Sequence, residues 1–77
     1  MYKVYLVDDE KIALDDMCNN LPWSDYSFMV TGRQTSPLQA IKAILADPVD
    51  IIFTDIRMPE MNGLEMIEKL RASGCEA

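Results

Sequence analysis

The chain contains no histidine. A histidine nucleophile, a histidine general base and a zinc–histidine site are thereby excluded within it. Cysteine is nearly as scarce. Cys18 and Cys75 lie far apart with no CxxC pair, which excludes a zinc ribbon and a dithiol redox motif. Met1-Tyr2-Lys3 leads straight into a strand pattern, with no secretion signal ahead of it, so two reduced thiols in a cytoplasmic protein are expected rather than a disulfide. No apolar run approaches the ~20 residues of a membrane span. Basic residues are also few: 7 Lys and Arg stand against 13 Asp and Glu, a net charge of -6. That balance argues against direct contact with nucleic acid or an anionic membrane, and suits a surface that holds cations or meets a basic partner. Internal repeats, low-complexity tracts and linkers are absent. What remains is ordinary globular composition, 49% hydrophobic and 26% charged, in 77 residues. A chain so short is one domain at most. It buries only about 60% of its unfolded surface, so marginal stability is expected.

Hydrophobic periodicity orders the elements. Lys3 to Val7 is a β-branched and aromatic run that predicts a strand. Asp9 or Glu10 opens a helix whose apolar face is Leu14, Met17, Cys18 and Leu21, and Pro22 stops it. Trp23 to Ser27 reads as a loop anchored by Trp23. Phe28 to Thr31 reads as a second strand, with Gly32 and Arg33 at its end. Ser36 as N-cap and Pro37 at the first helical position start a second helix, with Leu38, Ile41, Ile44 and Leu45 as its expected buried face and Asp47-Pro48 as its end. Val49 to Thr54 is apolar almost throughout, as for a strand covered on both faces. After the loop Met58-Pro59-Glu60-Met61, Asn62 caps a third helix carrying Leu64, Ile67 and Leu70, with Gly74 as its C′ stop. The order β-α-β-α-β-α implies parallel strands joined by right-handed crossovers.

Two of the strands end in carboxylates. Tyr5-Leu6-Val7 runs into Asp8-Asp9-Glu10, and Ile51-Ile52-Phe53-Thr54 runs into Asp55. If these strands are neighbours, Asp8, Asp9 and Asp55 meet at one sheet edge, beyond the carboxyl ends where open α/β sheets bind ligands. At about 4 Å two unit charges repel by roughly 4 kcal/mol at an effective dielectric of 20, so a proton or a cation must resolve the conflict. A hard divalent cation with oxygen ligands suits it. Glu10 reads as a helix-start acid rather than a ligand. The methionines at 17, 58, 61 and 66 read as core or loop packing.

These residues resemble a known family. Lys3-Val4-Tyr5-Leu6-Val7-Asp8-Asp9-Glu10 is similar to the first strand and acidic pair of the response-regulator receiver domain. Asp50 to Pro59 resembles the strand and loop carrying its phospho-acceptor, and Met61-Asn62-Gly63-Leu64-Glu65 resembles its turn into the third helix. Leu21-Pro22-Trp23 with Tyr26-Ser27-Phe28 looks like receivers attached to DNA-binding domains of the arabinose-regulator type. The resemblance implies an α/β, flavodoxin-like receiver fold with parallel strand order 2-1-3. It implies Asp55 as the phosphorylated residue, Asp8 and Asp9 as the pair holding Mg²⁺ together with Asp55, and a further metal contact from the backbone carbonyl of Arg57. The implied donor is a phosphohistidine on a sensor histidine kinase, and any contact with DNA would come through an attached effector domain.

A complete receiver adds two strand–helix units, whose strands end in a Ser or Thr and a Lys that touch the phosphoryl group. Ser73 to Ala77 fall about where the fourth strand would begin, so residues 1–77 are expected to form a single incomplete receiver. The order 2-1-3 then leaves the apolar third strand at the rim, which predicts self-association through that edge. Three functions compete. The first is a phosphoacceptor signalling module, which catalyses only its own phosphotransfer and is not an enzyme on outside substrates. The second is a fragment that binds metal or dimerises without switching. The third is an aspartyl-phosphate hydrolase of the haloacid dehalogenase type; that would want Asp-x-Asp after the first strand, and Asp8-Asp9-Glu10 has the wrong spacing.

Overall fold

The computed structural model describes residues 1–75. Its elements are β1 (Tyr2–Val7), α1 (Lys11–Asn20), a 3₁₀ turn (Trp23–Tyr26), β2 (Phe28–Gln34), α2 (Pro37–Ala46), β3 (Ile51–Thr54) and α3 (Gly63–Ala72). The three strands are parallel in the order β2-β1-β3. Period-2 alternation in β1 divides the core between two faces. Val4 and Leu6 pack with Leu14 of α1, and Met17, Cys18, Trp23 and Ile51 close around them. Tyr5 and Val7 point the other way, toward Ala40 and Ile44 of α2 and Met66 and Leu70 of α3. Val4, Leu6 and Val7 are wholly enclosed. Each contributes roughly 1.5–3 kcal/mol by its burial, which makes β1 the energetic centre of the molecule.

Backbone chemistry fixes the helix ends. Ser36 Oγ accepts from Gln39 N at 3.4 Å, with Pro37 in the first turn. Asn62 and Glu65 form a reciprocal capping box: Glu65 N donates to Asn62 Oδ1 at 2.8 Å, and Asn62 N to Glu65 Oε1 at 3.4 Å. At the far end of α3, Gly74 takes φ +92°. Its N–H donates to Arg71 O, and Cys75 N donates to Leu70 O. These two bonds are the Schellman pattern, and they fold Cys75 back toward Leu70. Cys75 is therefore half-buried against the core rather than exposed as its position near the end of the sequence suggests.

Several expectations need correction. β2 does not stop at Thr31 but runs to Gln34 through a register shift opposite Val4 and Tyr5. Gly32 is no terminator there. The Tyr5 ring lies over it so closely that a Cβ would come 2.5 Å from Cε2. On α2 the buried positions are Pro37, Ala40 and Ile44, while Leu38 and Leu45 are 47% and 43% exposed. The small Ala40 occupies the enclosed position, and choosing the largest side chains rotated the predicted face. On α3, Met66 is enclosed, as its reading as a packing residue expects, whereas Leu64 turns outward and is 64% exposed. β3 is shorter than predicted and only half covered. Ile51 and Ile52 are half-buried and Phe53 is 40% exposed, because β3 has a neighbour on one side only.

Candidate functional site

The β-ladder continues one step past the strand ends. Asp8 N donates to Gln34 O at 3.2 Å, and Asp55 N donates to Val7 O at 3.1 Å. Val7 is paired with Thr54, so Asp8 and Asp55 are the next residues in register. Strands in a sheet lie about 4.8 Å apart, which brings the two aspartates side by side. One carboxylate oxygen from each of Asp8, Asp9 and Asp55 lies within 4.8 Å of the others. Asp8 is half-buried and Asp55 is exposed.

Two local turns aim the carboxylates. Asp8 Oδ1 accepts from Glu10 N at 3.0 Å, and Asp55 Oδ1 accepts from Arg57 N at 3.2 Å. These are Asx-type bonds, typical of Asp at the start of a loop or helix. Each engages one oxygen and leaves the second for another ligand. The ion pairs found among the described residues lie elsewhere: Lys3–Asp47, Lys11–Asp15 and Arg33–Asp15. Lys11, at the start of α1, is turned along its own helix to Asp15 at 2.8 Å rather than toward the cluster. The cluster is thus an all-oxygen, negatively charged group. Asp8, Asp9 and Asp55 could each offer one oxygen to a shared ion. The donor set fits a hard divalent cation.

The sequence-predicted residues fall as follows. Asp8, Asp9 and Asp55 are brought together. Glu10 is the N-cap residue of α1, outside the cluster. Arg57 is exposed, and its amide is tied to the Asp55 carboxylate. The loop after Asp55 is held by the methionines expected to pack there and by a backbone closure at Gly63 that sequence reasoning missed. Met58 and Met61 are both 8% exposed and plug it into the core beside Val7 and Met66. Gly63 N closes it by donating to Ile56 O at 2.9 Å. The Met-x-x-Met spacing and the Gly after Asn62 were the available signals.

An open parallel sheet in the order 2-1-3, with three carboxylates beyond its carboxyl ends, is the flavodoxin-like arrangement of receivers. The response regulator receiver domain family matches residues 4–76, and the chain belongs to that family. It is 38% identical over 72 residues to the uncharacterized transcriptional regulatory protein YesN of Bacillus subtilis, a match covering 94% of this chain and 20% of that protein. The crystal structure of a two component transcriptional regulator AraC from Clostridium phytofermentans superposes with a TM-score of 0.85 at 30% identity, over 96% of this chain and 60% of that one. Its name is of the arabinose-regulator kind that the segment around Trp23 suggested. The REC domain of AraT, a response regulator from Geobacillus stearothermophilus, superposes with a TM-score of 0.83 at 28% identity, over 92% and 55% of the two chains. The chain spans 20–30% of the length of the first curated relatives it matches.

Proposed function

We propose that this chain is a phosphoacceptor signalling module of a two-component response regulator. It accepts a phosphoryl group from the phosphohistidine of a sensor histidine kinase on Asp55, with Mg²⁺ held by Asp8, Asp9, Asp55 and the backbone carbonyl of Arg57. The supporting observation is the meeting of the three aspartate oxygens within 4.8 Å, in a chain that matches the receiver family over residues 4–76.

Phosphoryl transfer is governed by positioning and charge more than by covalent machinery. Asp55 supplies an ionised oxygen nucleophile at the exposed rim, where a partner's imidazole can approach. Its second oxygen is held by Arg57 N, which fixes the direction of attack. The new bond joins an Asp55 oxygen to phosphorus as the phosphorus–nitrogen bond of the donor breaks, and the bonding pair returns to the imidazole. Asp8 and Asp9 add negative charge beside the nucleophile and would by themselves repel the incoming group. When bound, Mg²⁺ supplies the positive charge that offsets both the carboxylates and the phosphoryl oxygens. The chain modifies only itself in this scheme and turns over no outside substrate. The same scheme places it in the cytoplasm, beside its kinase.

Acetyl phosphate with Mg²⁺, followed by intact mass and peptide mapping, tests the proposal. One added phosphoryl group on Asp55, absent in Asp55→Asn and in EDTA, supports it. Mg²⁺ binding with no adduct would instead favour a metal-binding or dimerising module without a switch.

A further inference from the structure

Gly63, the first residue of α3, is buried against the backbone of the acceptor strand. A Cβ at this position would lie 2.5 Å from the carbonyl oxygen of Asp55, 3.3 Å from its carbonyl carbon and 3.2 Å from Thr54 Cγ2. The nearest of these atoms is main-chain, so no side-chain rotation relieves the contact. Either α3 or Asp55 must move.

Neither partner is loose. Gly63 N is bonded to Ile56 O, the capping box of Asn62 and Glu65 closes the first turn, and Met61 and Met66 on either side are buried in the core. Asp55 N is bonded to Val7 O. Its carbonyl accepts from Thr54 Oγ1 at 2.9 Å. The bare approach of α3 to Asp55 therefore sets how far the acceptor stands from the helix, and with it the spacing between its carboxylate and those of Asp8 and Asp9.

We infer that Gly63 is a positioning residue for the acceptor site: the missing side chain lets α3 seat against Asp55, and bulk at this position displaces Asp55 from the three-carboxylate cluster. The inference rests on the proposed metal-binding role of Asp55. Mg²⁺ demands near-ideal octahedral geometry, and contacts behind its ligands are typically worth about 10–100-fold in metal affinity.

The test is calorimetric titration of Mg²⁺ into the purified chain and its Gly63→Ala, Asn62→Ala, Gly74→Ala and Asp55→Asn variants, with thermal unfolding of each in EDTA. Gly74→Ala strains the opposite end of α3, where φ is +92° and nothing lies within 4 Å, so it lowers stability without touching the site. Asn62→Ala loosens the seat of α3 without adding volume. The expected result is Mg²⁺ affinity on the order of tenfold weaker in Gly63→Ala, more modestly weaker in Asn62→Ala and unchanged in Gly74→Ala. Metal-free amide spectra of Gly63→Ala should show Asp55 and Arg57 displaced more than Asp8. If Gly63→Ala binds like the wild type while Asp55→Asn does not, the inference falls and the proposed function stands. If the wild type shows no Asp55-dependent binding, both fall. Should Gly63→Ala fail to fold, Asn62→Ala decides: an affinity equal to that of Gly74→Ala overturns the inference.

Discussion

Replacing Asp55 by Asn should make the chain more heat-stable without divalent ions and less so with them. Asn keeps the side-chain volume and the oxygen that accepts from Arg57 N at 3.2 Å, so the local turn survives and charge is what changes. The carboxylate oxygens of the cluster lie within 4.8 Å of one another. At about 5 Å two unit charges repel by roughly 1 kcal/mol at the dielectric of water and about 3 kcal/mol at an effective dielectric of 20. Asp55 is exposed, so the lower figure applies. Two such repulsions vanish on substitution, toward Asp8 and toward Asp9, together about 1–2 kcal/mol at low salt and less as salt screens them. For a domain of this size 1 kcal/mol moves the melting temperature by roughly 4–8 °C. In EDTA at low ionic strength Asp55→Asn should melt higher by roughly 4–16 °C, and added NaCl should close the gap. With Mg²⁺ at a hundred times its dissociation constant, linkage adds about 2.7 kcal/mol to the wild type alone and reverses the order. Scanning calorimetry in the two buffers checks both halves. A variant that melts below the wild type in EDTA, or a wild type indifferent to Mg²⁺, would refute the electrostatic reasoning.

Three further outcomes are expected. The Asp15 carboxyl is held below its usual 3.8, first by the hydrogen bond from Lys11 and further by the charges of Lys11 and Arg33. A depressed folded-state value gives a contribution that is present above 3.8 and lost as pH falls through the lower folded value, so Asp15→Asn should shrink the drop in urea midpoint between neutral and strongly acid pH; an undiminished drop would count against the tether. Trp23 donates its indole N–H to Met17 O at 3.1 Å and meets the Phe53 ring edge-on at 5.3 Å. Trp23→Ala should cost about 2–3 kcal/mol in urea unfolding followed by circular dichroism, below the full core value because the ring is half-buried, and a loss under about 0.5 kcal/mol would deny it an anchoring role. Finally, the open edge of β3 should draw copies together at high micromolar concentration, and Phe53→Lys should weaken that association; sedimentation showing only monomer for the wild type removes the prediction.

Much of this architecture was legible because it is local. The carboxylates follow directly on β-branched runs, and the resemblance to receivers supplied the strand order that sets Asp8 beside Asp55. The caps at Ser36 and Asn62 and the stop at Gly74 were equally readable, since each depends on side chains or backbone within one turn. Helix faces were less so. Period 3.6 fixes a stripe but not its rotation: Ala40 took a position that larger neighbours seemed to claim, and Leu64 turned outward. Gly32 was read as the end of a strand and Gly63 only as part of the turn into the third helix, whereas both mark close approaches: one under the Tyr5 ring, the other against Asp55 O. The glycines themselves are visible in the sequence, but what approaches each is set by packing that a single sequence does not give.

β1 has a bonded neighbour on each side and encloses Val4, Leu6 and Val7 completely, while β3 is bonded on one side and leaves Phe53 two-fifths uncovered. Amide isotope exchange should therefore be slowest in β1, released only by global unfolding, and quicker in β3, which can fray alone. Asp8 and Asp9 ride on the first of these and Asp55 on the second. A ligand bridging them would stitch the rim to the centre, slowing exchange at Ile52 to Thr54 beyond any gain in overall stability. The strand that ends in Asp55 lies at an edge of the sheet, and occupancy of its terminal aspartate would double as its clasp.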